Sequence, residues 1–404
     1  MGRLNAYETW MTIALGITCV GSLASTALFS AGSALLLAIF LFRLVRERRL
    51  GIPAASRAQA YRMALASIAY LLLLLIPELI TGTYDKGAAH LISEIKILPI
   101  LLLSLMYIRN FQQVRVLLFC LTIAMLYDHV LSYGQFLGGD MLPKGEQDYR
   151  AFYINVILIV FPFTTILLRH DAVPMKEKML FGLMGISSLV VIFGISQLRA
   201  GWGALACMLF LWMLIDRVWR KQIFAGMVVI SLCFAVYASL SPTIYQRILS
   251  VTDPSWTYNM NRVYAQTSTL HIISDYPIVG IGVGNFKEVY NSGYHNELEF
   301  EHLDQPHNWI LHLTVEHGLI GLLGLCLFYG YILYRCLHMY RSSVKLKRSF
   351  SIALILAIAA SLIMGMFDVN MMKKVVFRVM YIMAGITLAV DVMDEEELQR
   401  ASIR

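Results

Sequence analysis

The sequence has 404 residues, 58% of them hydrophobic and only 15% charged, with a mean hydropathy of +0.66. Soluble domains carry about 25% charged residues, and an aqueous core cannot absorb runs such as LLLLLIPELI, so a soluble enzyme is excluded. The formal net charge of +7 does not indicate a nucleic-acid partner, because the basic residues are sorted along the chain instead of gathered on one soluble face.

A membrane helix needs roughly 20 mostly apolar residues. That rule predicts twelve spans, near 10–29, 31–45, 63–82, 92–108, 114–137, 152–168, 179–198, 201–216, 222–242, 308–334, 351–367 and 375–391. With the N-terminus inside, 22 of the 33 Lys and Arg fall on the inner side, in clusters such as Arg46, Arg48 and Arg49, or Arg217, Arg220 and Lys221. Cytoplasmic loops are enriched in Lys and Arg, so this orientation puts both termini inside the cell. The expected architecture is an all-α polytopic membrane protein, residues 1–404 forming one integral membrane domain with about 12 transmembrane helices. No A-x-A-like cleavage site follows the first span, which is expected to stay as a membrane helix. All six cysteines fall in or at the ends of predicted spans, which argues against a disulfide framework or a Cys-based zinc site.

Several outer loops, such as 138–150, are candidate lids or acceptor contacts, but none has a diagnostic motif. Arg199 follows in S-Q-L-R-A-G-W-G, between two apolar stretches. Charged residues near membrane depth are costly and face a polar cavity or a partner. The planar guanidinium fork also suits paired phosphate oxygens. The blander reading of Arg199 is an interfacial anchor beside Trp202 in an aromatic belt.

Residues 243–306 form one large outer, periplasmic loop, partly helical and acidic overall. Its stretch 258–275 lacks Gly and Pro and reads as a helix with Arg262 and Tyr264 in its first turns, stopped by Pro277. Arg262 is either a solvated charge on an acidic loop or a ligand for a substrate anion. Next comes P-I-V-G-I-G-V-G-N-F, whose glycines permit tight turns and close backbone approach. This run follows a helix instead of a strand and has no Walker lysine, so nucleotide binding is discounted.

The loop ends in Q-P-H-N, where a hydrophobic helix re-enters the bilayer. An imidazole titrates near pKa ~6.5, which makes His307 the best candidate for a base. The alternative is a structural histidine at a helix start, with Asn308 as the cap. Glu316 lies nine residues on, about half a revolution away around the helix, and is expected to make a packing hydrogen bond instead of orienting His307. His295, His302 and His307 stand among Glu297, Glu299, Glu301 and Asp304, but without H-x3-H or HExxH spacing, so no metal is expected. There is no G-x-S-x-G elbow and no P-loop, which removes serine hydrolases and kinases.

The order of these elements carries a resemblance. R-A-G-W (Arg199 to Trp202) precedes Arg262, then Asp275, Pro277, Gly280, Gly282 and Phe286, then His307, Asn308, Leu311, Glu316, Gly318, Gly321 and Leu322. This pattern resembles the O-antigen ligase and O-antigen polymerase superfamily of bacterial envelopes, by motif over about residues 180–325. The first motif departs slightly from the common R-G-x-W. The resemblance implies an inner-membrane enzyme with its site facing the periplasm. Its donor would be a glycan on undecaprenyl diphosphate and its acceptor the lipid A–core oligosaccharide, without nucleotide or metal cofactor. It further implies His307 as general base, Arg199 and Arg262 on the diphosphate, and Trp202, Tyr264 and Asn308 as further substrate contacts.

A polymerase joining two lipid-linked glycans needs the same donor chemistry and stays open. Chain length and the single late loop favour the ligase. A protein O-glycosyltransferase is disfavoured, because such relatives carry a longer C-terminal region. A transporter or flippase is the rival of another class, but no matching halves accompany the polar residues Glu78, Lys96 and Asp128.

Overall fold

The computed structural model describes residues 6–48, 52, 54–140, 142–253, 257–299, 303–369, 373–395 and 398. Among these there are helices and turns but no strand. The helices are α1 (Ala6–Ala24), α2 (Thr26–Glu47), α3 (Ala54–Thr81), α4 (Tyr84–Tyr107) and α5 (Phe111–Leu137). They continue with α6 (Arg150–Leu167), α7 (Met175–Val190), α8 (Arg199–Ile215) and α9 (Arg220–Leu240). The loop contributes α10 (Pro242–Thr252), α11 (Thr257–Asp275) and the single turn α12 (Phe286–Val289). The chain ends with α13 (Trp309–Tyr340), α14 (Lys345–Gly365) and α15 (Lys374–Val392).

Twelve of these helices occupy the predicted span positions, yet ten of the described helices are long and apolar enough to cross a membrane. The two that fall short are α1 and α8. α1 carries Glu8 in its first turn and ends at Ala24, next to Ser25, whose hydroxyl caps the next helix. α8 has only 17 residues before the chain turns at Asp216. The second span, expected to be short, is the 22-residue α2. In a low-dielectric solvent every backbone polar group must be paired internally, which is why the chain is a multi-pass bundle of apolar helices.

The core sits where α14 packs on α6, α8 and α13, with α15 against α4 and α6. α6 and α15 are buried on nearly all sides, whereas α9 presents most of its apolar surface outward, as a lipid-facing helix does. Because the helices alternate in direction, the bundle has two chemically distinct ends. One end carries acid–base pairs: Arg115 with Glu177 (2.5 Å), Arg169 with Asp216 (2.9 Å), Lys347 with Glu395 (3.2 Å), and Arg335 with Asp391. The other end carries residues 138–149 and the large loop.

α13 is not one helix. At Gly318 the backbone turns to φ 64° and ψ −167°, a region open essentially to glycine alone. The break strands carbonyls above it and N–H groups below it, and the glycine-rich loop segment satisfies both. Pro277 and Ile278 carbonyls accept from Leu319 and Ile320 N–H (2.8 and 3.2 Å). Ile281 and Gly282 N–H donate to the Val315 and Glu316 carbonyls (2.9 and 3.0 Å). A Cβ on Gly318 would sit 2.1 Å from the Ile278 carbonyl oxygen, and one on Gly280 2.5 Å from that of Val315. The glycines of the loop thus serve close backbone approach to a broken membrane helix, which explains the run without a nucleotide. Gly318→Ala is expected to cost about 2 to 5 kcal/mol through strain and overpacking. A detergent melting curve checks this, and an unchanged Tm would contradict the clamp.

Candidate active site

The loop end of the bundle holds a cavity of about 730 Å³, within the size range of small-molecule sites. Four arginines line it, each from a different element: Arg150 opens α6, Arg199 opens α8, Arg247 lies on α10 and Arg262 on α11. Asp253 and Asp368 are the acidic lining residues, and Gln197, Asn259, Gln266 and Asn308 supply amides. α6 and α8 both start at the cavity, with no side chain capping either N-terminus. Helix N-termini bear a partial positive charge and free N–H donors. The concave wall therefore concentrates positive charge. The remaining wall is apolar, including Val251, Met260, Met364, Met366 and Phe367.

The arginines are held to different degrees. Arg199 Nη1 donates to the Ser250 carbonyl (2.8 Å) and hydroxyl (2.9 Å), and Nη2 to Asn259 Oδ1 (3.0 Å). Three of the five guanidinium N–H donors thus tie α8 to α10 and α11. Arg150 Nη1 donates to the Ser196 carbonyl (3.1 Å), and Arg247 Nε to Gln197 Oε1 (3.1 Å). Gln197 itself has φ +48°, one of three non-glycine residues in the left-handed region among those described. Arg262 projects from the first turns of α11 into the same cavity.

Of the described carboxylates of the acidic loop, Asp253 lines the cavity, while Glu299, Asp275 and Asp304 are engaged beside it. Tyr290 donates to Glu299, Tyr294 to Asp275 (2.5 Å), and Lys287 pairs with Asp304 (2.8 Å). The Asp275 hydrogen bond pushes the Tyr294 phenol up to about 12. Burial, then the Glu299 contact, pushes the Tyr290 phenol up as well. His295 Nε2 lies 3.6 Å from Glu299, while His302 and Glu301 lie outside the described residues.

His307 stands at the edge of the cavity with φ +48°, a second left-handed residue beside the same site. Strained backbone of this kind costs about 1 to 3 kcal/mol and persists where surrounding contacts over-determine it. Pro306 precedes it, and Asn308 caps α13 by accepting from Leu311 N–H (3.1 Å). His307 Nδ1 lies 3.8 Å from Asp368 Oδ1, an ion-pair distance rather than a direct hydrogen bond. Asp368 follows α14 and is fixed in part by its own turn, accepting from Val369 N–H (2.8 Å).

The structure therefore brings Arg199, Arg262 and Asn308 to one cavity with His307 at its rim. It does not bring Trp202 or Tyr264 there. Trp202 is buried, its indole N–H donates to the Ile192 carbonyl (2.9 Å), and its ring meets Phe234 edge-on. Tyr264 lies two positions beyond Arg262, about 200° around α11, and so on its opposite face. Glu316 makes a packing hydrogen bond, accepting from Gly284 N–H (2.8 Å). The residues that sequence reasoning missed are Asp368, Arg150, Arg247 and Asn259. A signal for the arginines existed: the positive-inside bias makes any outer-side arginine unusual.

Residues 183–326 match a family model described as O-Antigen ligase. Over these residues the chain is similar to the O-antigen ligase family. A stretch of 197 residues is 26% identical to a protein named O-antigen ligase from Salmonella typhimurium strain LT2, covering 46% of this chain. The match spans 45% of that relative's length. The matched segment contains Arg199, Arg262, the glycine clamp and His307, whereas Arg150 and Asp368 fall outside it.

Proposed function

We propose that this chain is an O-antigen ligase that transfers a glycan from undecaprenyl diphosphate to a hydroxyl of the lipid A–core oligosaccharide. The observation that carries the reading is the meeting of four arginines from four helices in one cavity with the His307–Asp368 pair at its edge. A diphosphate presented at a membrane surface is the ligand whose charge and geometry such a wall matches. The apolar side of the cavity suits the first part of a polyprenyl chain, while the loop side leaves room for sugar. The sorting of Lys and Arg supports a periplasmic position for the cavity and cytoplasmic termini, in the bacterial inner membrane.

In this mechanism His307 removes the acceptor hydroxyl proton as that oxygen attacks the anomeric carbon. The new bond is acceptor oxygen to C1, and the broken bond is C1 to the diphosphate oxygen, on the opposite face of the sugar. Configuration is therefore inverted. The diphosphate departs with the bonding electron pair, and Arg262 and Arg199, aided by Arg150 and Arg247, stabilise the charge that develops on it. Asp368 lies beside Nδ1 of His307 and favours the imidazolium that results. No step requires a nucleotide or a metal.

The test is the phenotype of a null strain of the source bacterium complemented with this chain. A ligase leaves long glycan on undecaprenyl diphosphate when absent and restores core-linked glycan when returned. Accumulation of single repeat units would make it a polymerase. Loss of periplasmic donor altogether would make it a transporter.

A further inference from the structure

α13 consists of two half-helices, and the upper one, Trp309–His317, begins at the base-bearing turn His307–Asn308. Nine residues are too few to hold their own position as an isolated helix in water, so the height and tilt of His307 depend on what fixes the lower end of this piece. That end is held by the segment following α11, the helix that carries Arg262. α11 ends at Asp275, two residues before Pro277, where the backbone exchange with the break begins. The same segment packs Ile281, Phe286 and Tyr290 with Ala265 and Ile272 of α11 and Val315 of α13.

One side chain closes the exchange. The Glu316 side chain is 4% exposed, and its Oε1 accepts from Gly284 N–H at 2.8 Å. Its own carbonyl accepts from Gly282 N–H at 3.0 Å, and its Oε2 lies 3.4 Å from His312 Nε2. Beyond it, Asn285 donates to the Ile281 carbonyl (2.9 Å) and accepts from Lys86 Nζ (2.5 Å), which anchors the segment to α4. Glu316 thus grips the loop through its backbone and side chain together.

The geometry points to Glu316 as a positioning residue that fixes the His307 half-helix to the Arg262 helix, so that base and diphosphate ligand keep one spacing. This inference rests on the proposed transfer reaction for its catalytic consequence, but the clamp itself is independent of that reaction. Glutamine at 316 keeps an oxygen acceptor for Gly284 N–H, alanine removes it, and aspartate withdraws it by one methylene.

Two readouts on the purified full chain test this. Amide hydrogen exchange over 278–286 should speed up in Glu316→Ala and Glu316→Asp and stay near native in Glu316→Gln. Turnover with undecaprenyl-diphosphate glycan should fall about 10- to 100-fold in Ala and Asp, with donor KM within about threefold of native, and return in Gln. Native exchange and turnover in Glu316→Ala would overturn the inference. So would a Glu316→Gln protein as impaired as alanine, which would assign the effect to the charge. Should the alanine protein fail to fold, aspartate carries the comparison. If the native chain itself makes no glycan product, the transfer reading fails while the exchange measurements still decide the clamp.

Discussion

Replacing His307 with alanine lowers the turnover of glycan transfer by about 100- to 10,000-fold, the usual worth of a positioned general base, while the donor still binds. The reason is the separation of roles in the cavity. The proposed anion wall is built from arginines on α6, α8, α10 and α11, whereas His307 lies at the rim beside Asp368 and is not among the residues lining that wall. Asp368→Asn gives a smaller loss, since it leaves the imidazole in place and removes only the group facing Nδ1. The double variant is no slower than His307→Ala alone, because the pair acts as a unit and unit members are not additive. Single-turnover rates with saturating donor check all three proteins. Near-native turnover in a folded His307→Ala protein would assign the base elsewhere.

Arg262→Ala loses about 100- to 1000-fold in kcat/KM, the scale of one donor lost from a charge-stabilising set. Arg262→Lys recovers little of it, because an ammonium is a point charge and cannot grip two phosphate oxygens with a planar fork. Arg199→Ala behaves differently. That guanidinium bonds Ser250 and Asn259, so its removal also loosens α10 and α11 and lowers stability by about 1 to 3 kcal/mol. Kinetics and melting curves measured side by side separate the two residues: Arg262→Ala keeps its Tm and Arg199→Ala does not. Equal stability losses would mean that Arg262 is structural as well.

The distance between what the sequence discloses and what it conceals follows from the length scale of each signal. Membrane spans are written in 20-residue apolar runs, so twelve helix positions are legible, and α11 is legible because 258–275 lacks Gly and Pro. α10 is not, because Pro242–Thr252 continues directly from α9 across Ser241, which ends one helix and caps the next. The break in α13 is hidden for a related reason: Gly318 is one of four glycines in a 32-residue apolar helix and reads as ordinary helix packing. Only its backbone partners in the loop, 36 or more residues earlier, disclose the break. Arg199, Arg262 and His307 stand out as polar residues at a lipid boundary, and the structure brings them to one site. Asp368 does not stand out, since an acidic residue after a span is common and its partner lies 61 positions away. Trp202 misleads in the other direction. The resemblance implies it as a substrate contact, but its N–H and ring are both engaged in packing.

One measurement bears most directly on the proposed role of the arginine cavity and His307. Purified protein is incubated with undecaprenyl-diphosphate-linked glycan and rough lipopolysaccharide, with EDTA present and nucleotide absent. A ladder of higher-mass lipopolysaccharide that forms with the native chain and vanishes in His307→Ala and Arg262→Ala is the predicted result. Glycan lengthened on the lipid carrier with the core untouched, or a ladder that persists in either variant, would contradict it.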